Sequence, residues 1–164
     1  NAYTSVFTQT CKRMATQSEN IVDTLKELTE FVNDGLAGYQ RAAKETKNPQ
    51  FESYYLDLVQ QRQAFASELN ALIGRFGGTA ETSTTLKGKF FRQWMDVKAA
   101  LTGSDERAIL DSNLYGEEWA QKAFNDALED VNLPTDIRQL IERQKQLSLE
   151  AYRRQEQMKL VMPG

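Results

Sequence analysis

The sequence predicts an all-α protein: a four-helix bundle with a long crossover that contains an additional short helix. Three observations predict it. Glycine (9) and proline (3) are scarce among the 164 residues, whereas strong helix formers are common. Apolar residues recur at spacings of three and four along four long stretches. Short polar turns join the first stretch to the second and the third to the fourth, while the second and third are separated by the whole of 77–104.

The elements follow in chain order. Tyr3, Phe7, Cys11 and Met14 mark one face of a short helix over 3–14, suited to packing across a bundle or against a second subunit. The first long helix is predicted from about Ser18 to Thr46, with Ile21, Leu25, Leu28, Val32 and Tyr39 as its buried stripe and Val22 and Phe31 beside it. Gly35 and Gly38 interrupt this stretch, each costing roughly 1 kcal/mol relative to alanine. A close helix–helix approach or a bulky neighbour would account for them. Lys47-Asn48-Pro49 is a turn in which Asn48 caps the second helix and Pro49 takes its first position. That helix runs to about Arg75, with Tyr54, Leu58, Phe65, Leu69, Leu72 and Phe76 as its stripe.

Gly77-Gly78 ends the second helix, and the threonine-rich stretch 79–85 reads as loop. Residues 86–101 form a shorter helix carrying Leu86, Phe90, Trp94, Val97 and Leu101. Thr102-Gly103-Ser104 breaks it, with Ser104 as the expected N-cap of a third long helix over 105–130. The inner face there is Ile109, Leu110, Asn113, Glu117, Ala120, Phe124, Ala127 and Leu128. After the turn Asn132-Leu133-Pro134, the last helix covers 134–159, with Ile137, Leu140, Ile141, Gln144, Leu147, Leu149, Ala151 and Tyr152 along it. The expected organisation is an N-terminal extension, 1–17, and a bundle domain, 18–159. Two antiparallel hairpins joined by one long crossover make the ferritin-like arrangement.

Composition narrows the chemistry. The net charge of −3 provides no basic footprint for nucleic acid. No run of 18 apolar residues is present to span a membrane. A cytoplasmic location is expected; because the sequence starts at Asn1 and not at methionine, a removed targeting segment is the alternative. The absence of histidine rules out a Ser-His-Asp triad and a histidine-ligated metal centre. A single cysteine, Cys11, rules out an internal disulfide or a zinc–thiolate site within one chain.

Polar residues on the buried stripes are the candidates for function. Glu117 lies between Asn113 and Ala120 and faces inward. Glu118 points about 100° away and meets solvent. Glu68 and Asp34 border the stripes of their helices, and Gln144 lies between Leu140 and Leu147. Carboxylates on facing helices are the ligands of diiron and dimanganese bundles, so Glu68, Glu117, Glu118 and Asp34 are the candidate metal ligands, for Fe or Mn. The plainer expectation is that no cofactor is held and that the buried acids are paired. Arg62, Arg143, Lys122 or a tyrosine hydroxyl would serve as partner. Trp94 and Trp119, with Tyr39, Tyr54, Tyr55 and Phe65, would line a small-molecule pocket, or simply fill the core.

Several segments together resemble the DUF2383 family, a ferritin-like group of bacterial four-helix bundles of unknown function. They are NDGLAGYQRAA (33–43) with KNPQF (47–51), QQRQAFASELNALIGRFGG (60–78), RQWMDVKAALTGSDERAIL (92–110), YGEEWAQKAFNDAL (115–128) and LPTDIRQLIERQ (133–144). The resemblance covers about 20–155. It implies the crossover topology and a cytosolic bacterial protein without an established activity. The carboxylates that match the family pattern are Glu68 and Glu117, with Glu118 beside the latter. Where members often carry an acid after Asp-Gly, this chain has Leu36-Ala37; where they often carry a late histidine, it has Glu150-Ala151-Tyr152.

Three functional expectations follow. The first is a non-catalytic bundle with a structural, stress-related or interaction role. The second is a carboxylate-only Fe or Mn protein handling oxygen or peroxide. The third is a binder of small apolar ligands between the helices. Self-association, as a dimer, is expected from the N-terminal apolar stripe.

Overall fold

A computed structural model of the chain describes residues 2–102 and 105–162, and the side chains of residues 90, 94 and 97–102 lie outside that description. Its elements are α1 (Ala2–Glu45), α2 (Pro49–Arg75), α3 (Leu86–Thr102), α4 (Glu106–Leu128) and α5 (Thr135–Leu160). The described residues contain no strand. The all-α bundle predicted from the sequence is therefore the fold.

Contacts along the helices fix their directions. Thr24 meets Asp130, Tyr39 meets Glu117 and Thr46 meets Glu106, so α1 and α4 run antiparallel. Gln144 reaches Phe65 and Asp136 reaches Arg75, so α2 and α5 are antiparallel too. The order is up, down, down, up. Two consecutive descending helices cannot be joined by a tight turn, which is why the chain needs the crossover that carries α3.

The predicted α1 boundary is corrected. The helix begins at Ala2, not near Ser18, and runs for 44 residues. Nothing from Ala15 to Asn20 breaks a helix: the segment has neither glycine nor proline. Residues 2–17 are exposed along this extension.

At the first turn the expectation holds. The Asn48 side chain accepts from the backbone N–H groups of Gln50 and Phe51, and Pro49 opens α2. The cap of α4 differs. Asp105 accepts from the Ala108 N–H at 2.6 Å. Thr102 is the last residue of α3, while the expected Ser104 cap and residue 103 of the expected break fall outside the description, as do the side chains of the Phe90, Trp94, Val97 and Leu101 stripe. Arg138 donates to the carbonyls of Leu128 and Asp130, which closes the C-terminal end of α4.

Gly77 and Gly78 are required where α2 ends. Gly77 has φ of 80°, a conformation that side chains disfavour. A Cβ on Gly78 would come within 2.8 Å of Ile73 and of Val22. The loop beyond is pinned by Asn70, which exchanges two hydrogen bonds with the Glu81 backbone.

Two apolar clusters fill the bundle. One joins Leu25, Leu28, Phe65, Leu69, Phe124 and Ile141. The other joins Tyr39, Tyr55, Leu58, Ile109, Leu110 and Ala151. The α2 stripe is rotated slightly from expectation: Tyr55 and Ile73 are buried, while Tyr54, Leu72 and Phe76 are half-buried. The seam 55, 58, 62, 65, 69, 73 keeps helical spacing by passing through Arg62.

Candidate functional site

Between the two clusters each of the four long helices contributes polar groups to one buried layer. Glu117 on α4 is its centre and is 2% exposed. Arg62 on α2 donates from Nη2 to Glu117 Oε1 at 2.6 Å and from Nη1 to Oε2 at 3.3 Å. Tyr39 on α1 donates its hydroxyl proton to Oε1 at 2.5 Å. Ser148 on α5 donates to Oε2 at 2.5 Å. Gln155, one further turn-pair along α5, donates from Nε2 to the Tyr39 hydroxyl oxygen at 2.8 Å. Both carboxylate oxygens are thus met by two donors each.

This arrangement answers the cost of burying charge. An isolated buried carboxylate is strongly disfavoured, but a bidentate arginine with extra donors restores most of what water supplied. The Arg62 guanidinium also lies 5.4 Å from the Tyr39 ring centre and 5.3 Å from that of Phe65. Burial works against the Arg62 charge, but Glu117 and Tyr39 more than offset it and hold the guanidinium protonated. Burial pushes the Tyr39 hydroxyl well above its ordinary value, and the neighbouring Glu117 charge adds to that shift.

The remaining metal candidates lie apart. Glu68 pairs with Arg143 at a part-exposed edge of α2 and α5. Glu118 is exposed, as predicted, and accepts from the Tyr152 hydroxyl at 3.3 Å. Asp34 accepts from Arg92 at 2.9 Å and from Thr85 at 2.5 Å, holding the crossover against α1. Among the described residues no three Asp, Glu, Cys or His side chains converge as a metal site. Of the expected partners, Arg62 and Tyr39 serve Glu117 and Arg143 serves Glu68, whereas Lys122 pairs with Asp126 on its own helix.

A cavity of about 90 Å³ opens beside the buried layer, between α1, α3 and α4. Trp119 and Tyr39 line it, as the sequence suggested for an aromatic pocket, together with Phe31, Phe91 and Tyr115. Tyr55 and Phe65 are instead buried in the two cores, and Tyr54 packs under Arg154 at 4.5 Å. Trp94 lies outside the described side chains. Ser148, Gln155 and Arg41 are site residues that the sequence reading missed. Ser148 and Gln155 continue the 137, 141, 144, 148, 151, 155 seam, so periodicity marked them, but their polarity hid them.

The DUF2383 model, a domain of unknown function, matches residues 20–130, most of the chain. The chain belongs to this family. The matched segment contains Tyr39, Arg62 and Glu117 but stops short of α5, and so of Ser148 and Gln155. No curated protein matches the chain.

Proposed function

We propose that this DUF2383 protein is a non-catalytic, ferritin-like bundle with a structural or interaction role. One observation carries the reading: both oxygens of Glu117 are taken by Arg62, Tyr39 and Ser148. In carboxylate-bridged metal bundles, inward glutamates from facing helices surround the ions. Here a guanidinium lies against the inward glutamate. The up-down-down-up course with its long crossover supports the ferritin-like part of the reading. The test is Fe and Mn content per chain, measured on untagged protein from metal-supplemented cells. Background levels are expected. About one or two tightly held ions per chain, lost in Glu117→Gln, would overturn the proposal.

A second reading concerns partners. Tyr3, Val6, Phe7 and Met14 are exposed on the α1 extension. We propose that this stripe pairs with a second copy of the chain, supported by spacings that suit helix–helix packing. Sedimentation velocity should find a dimer that Phe7→Asp dissociates. A monomer at high concentration would reject it.

A further inference from the structure

Residues 2–17 extend α1 as an exposed arm, and the arm and the bundle use one side of that helix. Roughly eighteen residues complete five helical turns. Tyr3, Phe7, Cys11 and Met14 therefore lie at the same angle around α1 as Ile21, Leu25, Thr29 and Val32. The four bundle residues are buried. Ile21, Leu25 and Val32 pack in one cluster with Leu69 of α2, Phe124 of α4 and Ile141 of α5. The four arm residues are exposed, Phe7 by 71% and Met14 by 63%. The arm thus carries the core face of α1 past the point where its covering helices end.

That face lacks the support a lone helix needs. Residues 3–11 are rich in aromatic, β-branched and hydroxyl side chains, which favour helix poorly. Thr8, Thr10 and Thr16 turn their hydroxyls back onto carbonyls of the preceding turn, a bond that slightly destabilises a helix. A second copy brings the identical stripe, so one twofold contact covers both.

Only one direction of pairing fits. A partner helix on the apolar side lies about 8–10 Å away. Further along α1, the helices α2, α4 and α5 occupy that same side. Nothing from Ala15 to Asn20 breaks α1, so a parallel partner would run on into those three helices. An antiparallel partner carries its own bundle away, beyond the other end of the paired arms. The root of the arm also offers a contact. Gln17 donates to Asn132 at 3.3 Å, which sets the turn between α4 and α5 there, and Val131 in that turn is 89% exposed.

We infer, on the basis of the self-pairing proposed above, that two copies of the chain pair antiparallel through residues 2–17. The arm of each copy covers the Phe7–Met14 stripe of the other and reaches the turn at Val131. The two bundles stand at opposite ends of one long particle.

Small-angle X-ray scattering on the full chain, joined to sedimentation velocity, reads the direction. The 44 residues of α1 span about 66 Å. Antiparallel arms make a dimer about 110 Å long, whereas side-by-side bundles make one of about 70 Å. The longer dimer is expected. Val131→Asp should raise its dissociation constant by about tenfold, while the helical circular dichroism signal and melting temperature are kept. A dimer of about 70 Å would overturn the antiparallel arrangement and leave self-pairing standing. A monomer, alone or bound to anionic phospholipid vesicles, would overturn both. Unchanged dimer affinity in Val131→Asp would overturn the contact at the bundle end.

Discussion

Arg62–Glu117 and Arg75–Asp136 both join α2 to another helix, at 2.6 and 2.7 Å. The side chains of the first pair are 2% and 1% exposed; those of the second are 51% and 61% exposed. Equal length conceals unequal consequence. The outer pair exchanges water for a partner at little net gain. The inner pair has no water to fall back on, so each member depends on the other and on Tyr39 and Ser148.

That contrast predicts a ranking. Arg62→Ala leaves Glu117 charged in the core and should cost about 3–5 kcal/mol in urea unfolding. The double change Arg62→Met with Glu117→Met removes both charges and should be less damaging than Arg62→Ala alone. A double variant as unstable as the sum of the singles would show that the pair is not one unit. Tyr39→Phe comes next, at about 1–3 kcal/mol, since it strips a donor from Glu117 and an acceptor from Gln155.

Tyr39 also sets a pH dependence. Its folded pKa lies above the ordinary 10.0, so the fold retains a proton that the unfolded chain gives up. The associated stability is complete below about pH 10 and is lost as pH rises through the folded value. Melting temperature against pH should therefore fall on the alkaline side. Tyr54 and Tyr55 are shifted the same way by burial, so Tyr39→Phe should reduce the slope without removing it. A slope unchanged by Tyr39→Phe would place the effect elsewhere.

Smaller effects sharpen the comparison from the other end. Gly38→Ala should stabilise the protein by up to about 1 kcal/mol, because the helix gains and nothing is struck. Destabilisation would mean that the added methyl disturbs the neighbouring α3. Arg75→Ala should change unfolding free energy by no more than about 0.5 kcal/mol. A loss near that of Arg62→Ala would abolish the distinction between inner and outer pairs.

Much of the fold was legible because apolar periodicity and turn chemistry agreed. Asn48-Pro49, Gly77-Gly78 and the length of 77–104 fix the topology before any contact is known. Glu117 was legible as the inward acid, since it interrupts an apolar row at helical spacing. Its setting was less so. Arg62 escapes an apolar reading of the α2 stripe because an arginine there looks like solvent-facing charge, and on α5 Ser148 and Gln155 are hidden beside the more apolar Leu147, Leu149 and Tyr152. A buried polar layer obeys the same period as a core but breaks the hydrophobic pattern, so a reading weighted to apolar residues bends around it.

The unbroken course of α1 has one more consequence. Phe7, Cys11 and Met14 stand on the same line of sevens and fours as Ile21, Leu25 and Leu28. With no hinge between them, the exposed arm and the bundle share one azimuth, like teeth cut on a single shaft. One residue inserted near Ser18 would turn the arm by about 100° and advance it about 1.5 Å. Seven would nearly restore the angle while moving the arm a further two turns outward.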